Sequence, residues 1–146
     1  MINCLAKAAC ISILAATPTF ADVYSPQPGT PVRSAILDSV RIIAAYDLGG
    51  PIEFVVTSLE IDGDVGLFRG AAQRPGGQQI EITQTPMVTR DDIPADFIDG
   101  PTVDAFVKRL DGHWYIDAYA VGATDVWWIG PPYCADYSTL LPTGAC

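Results

Sequence analysis

The sequence predicts a single α+β domain in which one N-terminal helix packs on an antiparallel meander of four to five strands. Apolar residues recur at helical spacing over residues 31–47, and after Pro51 they alternate with polar residues as in a half-buried strand. Two Asp-Gly pairs, at 62–63 and 111–112, then separate alternating segments in the way that hairpin turns do. The 146 residues, 49% hydrophobic and 17% charged, suit one globular domain with its own core.

Residues 1–21 have the pattern of a signal peptide. Lys7 precedes an apolar run over residues 8–16, and Thr19 and Ala21 supply small residues at the −3 and −1 positions of a cleavage site. The run is too short to span a bilayer. We therefore expect cleavage after Ala21, a mature domain at 22–146, and a periplasmic or secreted location.

The expected mature domain is strongly acidic. Cleavage removes Lys7, one of 8 basic residues, and none of the 17 acidic ones, so the formal net charge changes from −9 to −10. Nucleic acid and anionic lipid repel such a surface, and no later segment has the length to insert into a membrane. A protein or a small-molecule ligand remains as the expected partner.

The helix is delimited by its terminal residues. Thr30 is expected to be its N-cap and Pro31 its first residue, and the Gly-Gly-Pro sequence at 49–51 ends it. Its apolar side is expected to consist of Val32, Ile36, Leu37, Val40, Ile43 and Ala44.

Five segments are expected to form the meander. The first strand starts near Ile52, with a bulge at residues 57–58 where the apolar phase shifts. The others are expected at 65–73, 78–85, 102–110 and 113–121. In the last strand, alternation predicts one face with Trp114, Ile116, Ala118 and Ala120, and an opposite face with His113, Tyr115, Asp117 and Tyr119.

Two features lie outside this regular pattern. Residues 86–101 form a long acidic connection with three prolines, of a length that in compact domains is usually functional or mobile. Cys134 and Cys146 are the cysteines left after cleavage, and in an oxidising compartment we expect them to pair and staple the C-terminal residues. Helix followed by meander is the arrangement of cystatin-like folds, with NTF2-like folds as the second choice.

Several segments together resemble a family of small exported bacterial proteins of uncharacterised function. The matching sequences are RSAILD at 33–38, GPIEFVV at 50–56, GD at 63–64, QRPGG at 73–77, GHW at 112–114 and GATDV at 122–126. The resemblance implies export and a helix-plus-meander fold, and it implies no activity.

The sequence offers little for catalysis. His113 is the only histidine and follows a turn glycine, and no nucleophile-elbow sequence such as G-x-S-x-G is present. Two thiols and one distant histidine do not make a metal site, so we expect neither a metal nor another cofactor. An alternative hypothesis to a binding function is a small NTF2-like enzyme that uses Asp117, Tyr119 and Asp125 for acid–base chemistry in a pocket.

The leading hypothesis is a non-catalytic domain that binds a protein or a small ligand. Exposed Trp and Tyr side chains are frequent anchors of binding surfaces, and Thr124 is expected to cap a short helical turn next to them. Arg69 shares a strand face with Val65 and Leu67 and needs a carboxylate partner, for which Asp125 is a candidate. The expected binding residues are Arg69, Gln73, Arg74, Thr124, Asp125, Trp127, Trp128 and Tyr133.

Overall fold

The computed structural model describes residues 22–146 as one helix followed by an antiparallel meander, which confirms the predicted α+β class. The expected signal peptide, 1–21, lies outside the described residues. The four strands pair in chain order. Within the described part, no helix has the length and hydropathy needed to cross a membrane. The elements are α1 (Pro31–Leu48), β1 (Glu53–Asp62), β2 (Val65–Gln73), α2 (Pro86–Thr89), β3 (Thr102–Leu110), β4 (His113–Val121) and α3 (Tyr133–Tyr137), with 3-10 turns at Ile82–Gln84 and Ala95–Phe97.

Helix α1 packs on one face of the sheet, which we call the helix face. Its buried residues are four apart, so they form one stripe: Ile36, Val40, Ala44 and Leu48. Ser39 Oγ donates a hydrogen bond to the Trp114 carbonyl at 2.9 Å, near the start of β4. At the other end of α1, Asp47 is close enough to the Tyr119 hydroxyl for the two groups to influence each other's pKa. The helix therefore runs alongside β4 in the same direction.

The sequence predicts one hairpin turn at its observed position and the other one residue too early. Asp62 pairs with Val65, so the first turn consists of residues 63–64, one position later than expected. The second turn is at 111–112 as expected, with φ of 50° at Asp111 and 81° at Gly112. Both central residues are thus in the left-handed region that a tight hairpin turn requires.

The sheet contains two bulges. The first lies between Val56 and Ser58, as the phase shift predicts. The second was not expected: Phe106 pairs with Ala118 but Val107 pairs with Ile116, which leaves Asp117 as an extra residue in β4. An extra residue reverses the facing of every later side chain in the strand.

The predicted strand at 78–85 is wrong. Gln78 forms an isolated bridge with Arg74, and the chain then turns through Ile82–Gln84 into α2. Ile80 and Ile82 do point inward and pack against the helix-face core, so their alternation reflects burial without strand pairing. The sheet has four strands as a result.

Residues 122–146, which we call the C-terminal segment, cover part of the opposite face of the sheet, the second face. Tyr137, Leu140 and Leu141 are buried there against Leu67 and Phe106. The sulfur atoms of the two cysteines, 134 and 146, are 2.11 Å apart, at disulfide distance. This segment gives the domain a second, smaller core.

Candidate binding site

The aromatic side chains of the C-terminal segment gather around Phe106. The ring of Tyr133 stacks on Phe106 with centroids 5.0 Å apart, and the ring of Trp127 meets it edge-on at 5.5 Å. Tyr137 lies still closer, at 4.3 Å. Trp127 and Tyr133 are half-buried, and the buried part of each side chain packs in the second core.

The residues before these aromatics are more open to solvent. Thr124 and Asp125 are exposed, and no helical turn begins at Thr124, so the expected N-cap is wrong. Val126 and Ile129 are 49% and 59% exposed, which is high for aliphatic side chains. Residues 124–126 and Ile129 are therefore exposed next to the second core, on either side of the half-buried Trp127 and Trp128.

Arg69 lies on the second face, at the edge of the area that the C-terminal segment covers. Its Cζ atom is 5.1 Å from the centroid of the Trp128 ring, at a distance typical of a cation–π contact. Across the ladder, Arg69 opposes Asp104 on β3 and Ser58 on β1. Burial raises the pKa of Asp104 above its ordinary value, and the Arg69 guanidinium opposes that shift.

The carboxylate that faces Arg69 is thus Asp104, and the expected pairing with Asp125 is not formed. Among the described residues, no ion pair within 4 Å involves either Arg69 or Asp125. The cross-strand register accounts for this difference, because it places Asp104 directly opposite Arg69 while Asp125 projects to solvent.

Two hydrogen-bond donors are buried in this region without an acceptor among residues 22–146. They are Nη2 of Arg69 and the indole Nε1 of Trp127. Both groups can only donate, and a buried donor without an acceptor costs about 1–3 kcal/mol. Their side chains belong to the same face of the sheet. This region therefore has an unmet requirement for acceptor atoms.

Arg74 has a structural role elsewhere. Its guanidinium donates to the carbonyls of Leu48 at 2.9 Å and Pro51 at 3.2 Å, and also to that of Gly49. These carbonyls lie at and beyond the end of α1, where a helix leaves acceptors unpaired. Arg74 therefore caps the helix C-terminus and is not available to a ligand near Arg69.

Gln73 opposes Glu53 at the end of β2 and borders a cavity of about 330 Å³. The other lining residues are Ala72, Gly77, Gln79, Ile80 and Pro101, and none of them is titratable. The cavity therefore lacks the carboxylate that acid–base catalysis requires.

Asp117 and Tyr119 project from opposite faces, which corrects the expectation that they share one. The bulge places Tyr119 opposite Ala105 on the helix face, whereas Asp117 reaches the second face. There the Asp117 carboxylate accepts a hydrogen bond from Tyr137 and lies 3.1 Å from Lys108 Nζ. The proposed pair cannot act together on one substrate.

The sequence did not predict the charged group around Lys108. Lys108 Nζ also lies 2.8 Å from Asp136 Oδ2, so one ammonium joins two carboxylates. Nothing in the local sequence signals this group, because its members come from β3, β4 and α3. Within residues 22–146, no cluster of three or more His, Cys, Asp or Glu side chains is arranged to hold a metal ion.

Comparison of the chain with protein-family models, with curated proteins and with solved structures gives no match.

Proposed function

We propose that the chain is an exported, non-catalytic binding domain of the bacterial envelope. The ligand site lies on the second face of the sheet beside Arg69 and Trp128, and the bound group supplies hydrogen-bond acceptors. The observation that carries this proposal is the pair of buried donors, Arg69 Nη2 and Trp127 Nε1, that have no acceptor among the described residues.

The chemistry of the ligand follows from the charges around the donors. Asp104 faces Arg69 and offsets part of its positive charge, while the whole domain is acidic. A highly charged anion would be repelled at long range, so a ligand with carbonyl groups or a single carboxylate fits better. The adjacent indole ring of Trp128 supplies apolar contact area.

Several features support export. The pattern of residues 1–21 is that of a signal peptide, and the segments quoted above resemble exported bacterial proteins. Cys134 and Cys146 lie at disulfide distance, which suits an oxidising compartment. The backbone of Tyr24 pairs with Ile61, with both N–H···O distances at 2.9 Å, so the chain joins the fold soon after the expected cleavage point.

Native mass spectrometry of the protein purified gently from its own envelope fraction tests the binding function. We expect the wild type to carry a stoichiometric added mass of a few hundred daltons and Arg69→Met to lack it. Arg109→Met is the matched control, because Arg109 is an exposed arginine on the neighbouring strand with its own partner, Asp64. A bare wild-type protein, or equal loading of both variants, contradicts the proposal.

The enzyme alternative gains no support from the geometry. Asp117 and Tyr119 lie on opposite faces, Asp125 is exposed, and the cavity beside Gln73 has no titratable lining. Binding is therefore the one function proposed.

A further inference from the structure

A group of large apolar side chains is exposed on the opposite side of the molecule, around the C-terminal end of α1. The exposed fractions reach 72% for Ile42 and 67% for Phe97, and several such side chains occur together on α1 and the following loop. We call this group the α1–loop surface. Its members are Ile42, Tyr46, Ile93, Phe97 and Tyr119.

The loop joins the helix part of this surface at Tyr46. Ile42 and Tyr46 are four residues apart in α1, so they share one face of the helix. The guanidinium of Arg90 stacks over the Tyr46 ring, with Cζ 3.8 Å from the centroid, and donates to the Tyr46 carbonyl at 3.0 Å. The start of the acidic loop is thus fixed to the last turns of α1.

The far end of the loop is fixed to the end of β4. The Asp99 N–H donates to the Gly122 carbonyl at 2.8 Å, one residue beyond the strand. Ile98 packs so closely there that a Cβ on Gly122 would come within 2.3 Å of its Cγ2 atom. Residues 90–99 therefore connect the end of α1 to the end of β4, and Phe97 lies in the chain two residues before the attachment to β4.

Carboxylates outnumber cations around this surface. Arg41 is paired with Asp38, Arg90 is paired with Asp91 and lies 3.8 Å from Asp47, and Arg74 donates to carbonyls at the end of α1. The exposed carboxylates on α1 and the loop are Asp38, Asp91, Asp92, Asp96 and Asp99. An apolar centre with an acidic surround is complementary to a surface that presents apolar side chains among lysines and arginines.

We infer that the α1–loop surface is a docking site for a cationic protein partner whose contact region combines basic and apolar side chains. The site is separate from the proposed ligand site, since it lies on the helix side of the sheet. The docking proposal therefore does not depend on the ligand-binding proposal. The acidic surround attracts the partner at long range, and the exposed apolar side chains supply the contact.

The test uses a defined probe, an amphipathic peptide of alternating lysine and leucine. A peptide of equal charge with serine in place of leucine separates apolar docking from bare charge attraction. We expect backbone amide NMR shifts to cluster at residues 40–47 and 90–99. Calorimetry should show at least tenfold weaker binding of the serine peptide, and weaker binding of both peptides as salt is raised.

Single substitutions locate the contact. Ile42→Ser and Phe97→Ser should each weaken binding of the leucine peptide at least fivefold and leave thermal unfolding close to that of the wild type, since both side chains are mostly exposed. Leu110→Ser is the matched control, a 59% exposed leucine at the β3–β4 turn. Shifts spread over the whole surface, equal binding of the two peptides, or wild-type affinity in both variants would overturn the inference.

Discussion

The Tyr137 hydroxyl donates a hydrogen bond to Asp117 Oδ2 at 2.9 Å, and Lys108 Nζ lies 3.1 Å from the same oxygen. Tyr137 is only 1% exposed, and its ring packs on Phe106. One carboxylate, at the bulge of β4, therefore connects the C-terminal segment to the sheet through both a phenol and an ammonium. This arrangement requires the phenol to keep its proton.

Alkaline pH should weaken the fold through Tyr137. Burial raises the pKa of Tyr137, and its hydrogen bond to Asp117 raises it further. In the unfolded chain the phenol ionises near pH 10, so above that pH its ionisation stabilises the unfolded state relative to the folded state. We expect the free energy of unfolding to fall between pH 9 and 11 in urea titrations, and to fall less steeply in Tyr137→Phe. Tyr115→Phe, at an exposed position, should retain the wild-type slope.

Removal of the Arg74 side chain should destabilise α1. Arg74→Met leaves the carbonyls of Leu48, Gly49 and Pro51 without this donor, at a cost of about 1–3 kcal/mol. Arg109→Met is the control, because the exposed pair of Arg109 with Asp64 contributes at most about 1 kcal/mol. Urea unfolding followed by circular dichroism measures both. Equal effects of the two substitutions would contradict the capping role.

The cysteine pair should stabilise the C-terminal segment. The two cysteines close a loop with a sequence separation of 12, and a cross-link of that size is worth about 3 kcal/mol in the chain-entropy account. We expect the double variant Cys134→Ser/Cys146→Ser to have a free energy of unfolding lower by about that amount, and therefore a lower urea midpoint. Tryptophan fluorescence reports on Trp127 and Trp128 together with Trp114, so a Trp114→Phe background isolates the signal of the C-terminal segment, which should change first. An unchanged midpoint would show that packing alone holds the segment.

The carboxylate of Asp104 should titrate above its ordinary range, because burial raises its pKa while Arg69 lowers it. Carboxyl NMR measures this directly, and Arg69→Met should shift the pKa upward again. The folded state then binds this proton at higher pH than the unfolded state. The contribution of Asp104 to stability therefore grows as the pH falls through the folded pKa towards about 3.9 and is lost as the pH rises. A lower pKa in the variant would exclude Arg69 as the compensating charge.

Local sequence signals were sufficient for most of the fold. The spacing of apolar residues and the Thr-Pro start defined α1, and the shift of apolar phase revealed the bulge near Ser58. The segment at 78–85 was wrongly predicted to be a strand, because inward-facing isoleucines occur in strands and in buried turns alike. Alternation records which side chains are buried and carries no information about whether a neighbouring strand is available to pair.

The candidate site depended more on contacts between distant segments. The bulge at Asp117 has no sequence signal, because Ala118 and Ala120 continue the alternation of Trp114 and Ile116 and are small enough to suit either face. The cap formed by Arg74 joins residues more than twenty positions apart in the chain, and the position of Asp104 opposite Arg69 follows from strand register. Residue type suggested that Arg69 needs a carboxylate, but only the sheet topology identifies which one.

The order of the elements along the chain determines which apolar side chains are covered last as the protein folds. All four strands precede the C-terminal segment, so the sheet and α1 can assemble on a chain that is still emerging while Leu67 and Phe106 are open to solvent. Those two side chains are covered only when residues 127–141 arrive. Until then an apolar surface is open to chaperones. The duration of this interval is set by the rate at which residues 127–141 emerge.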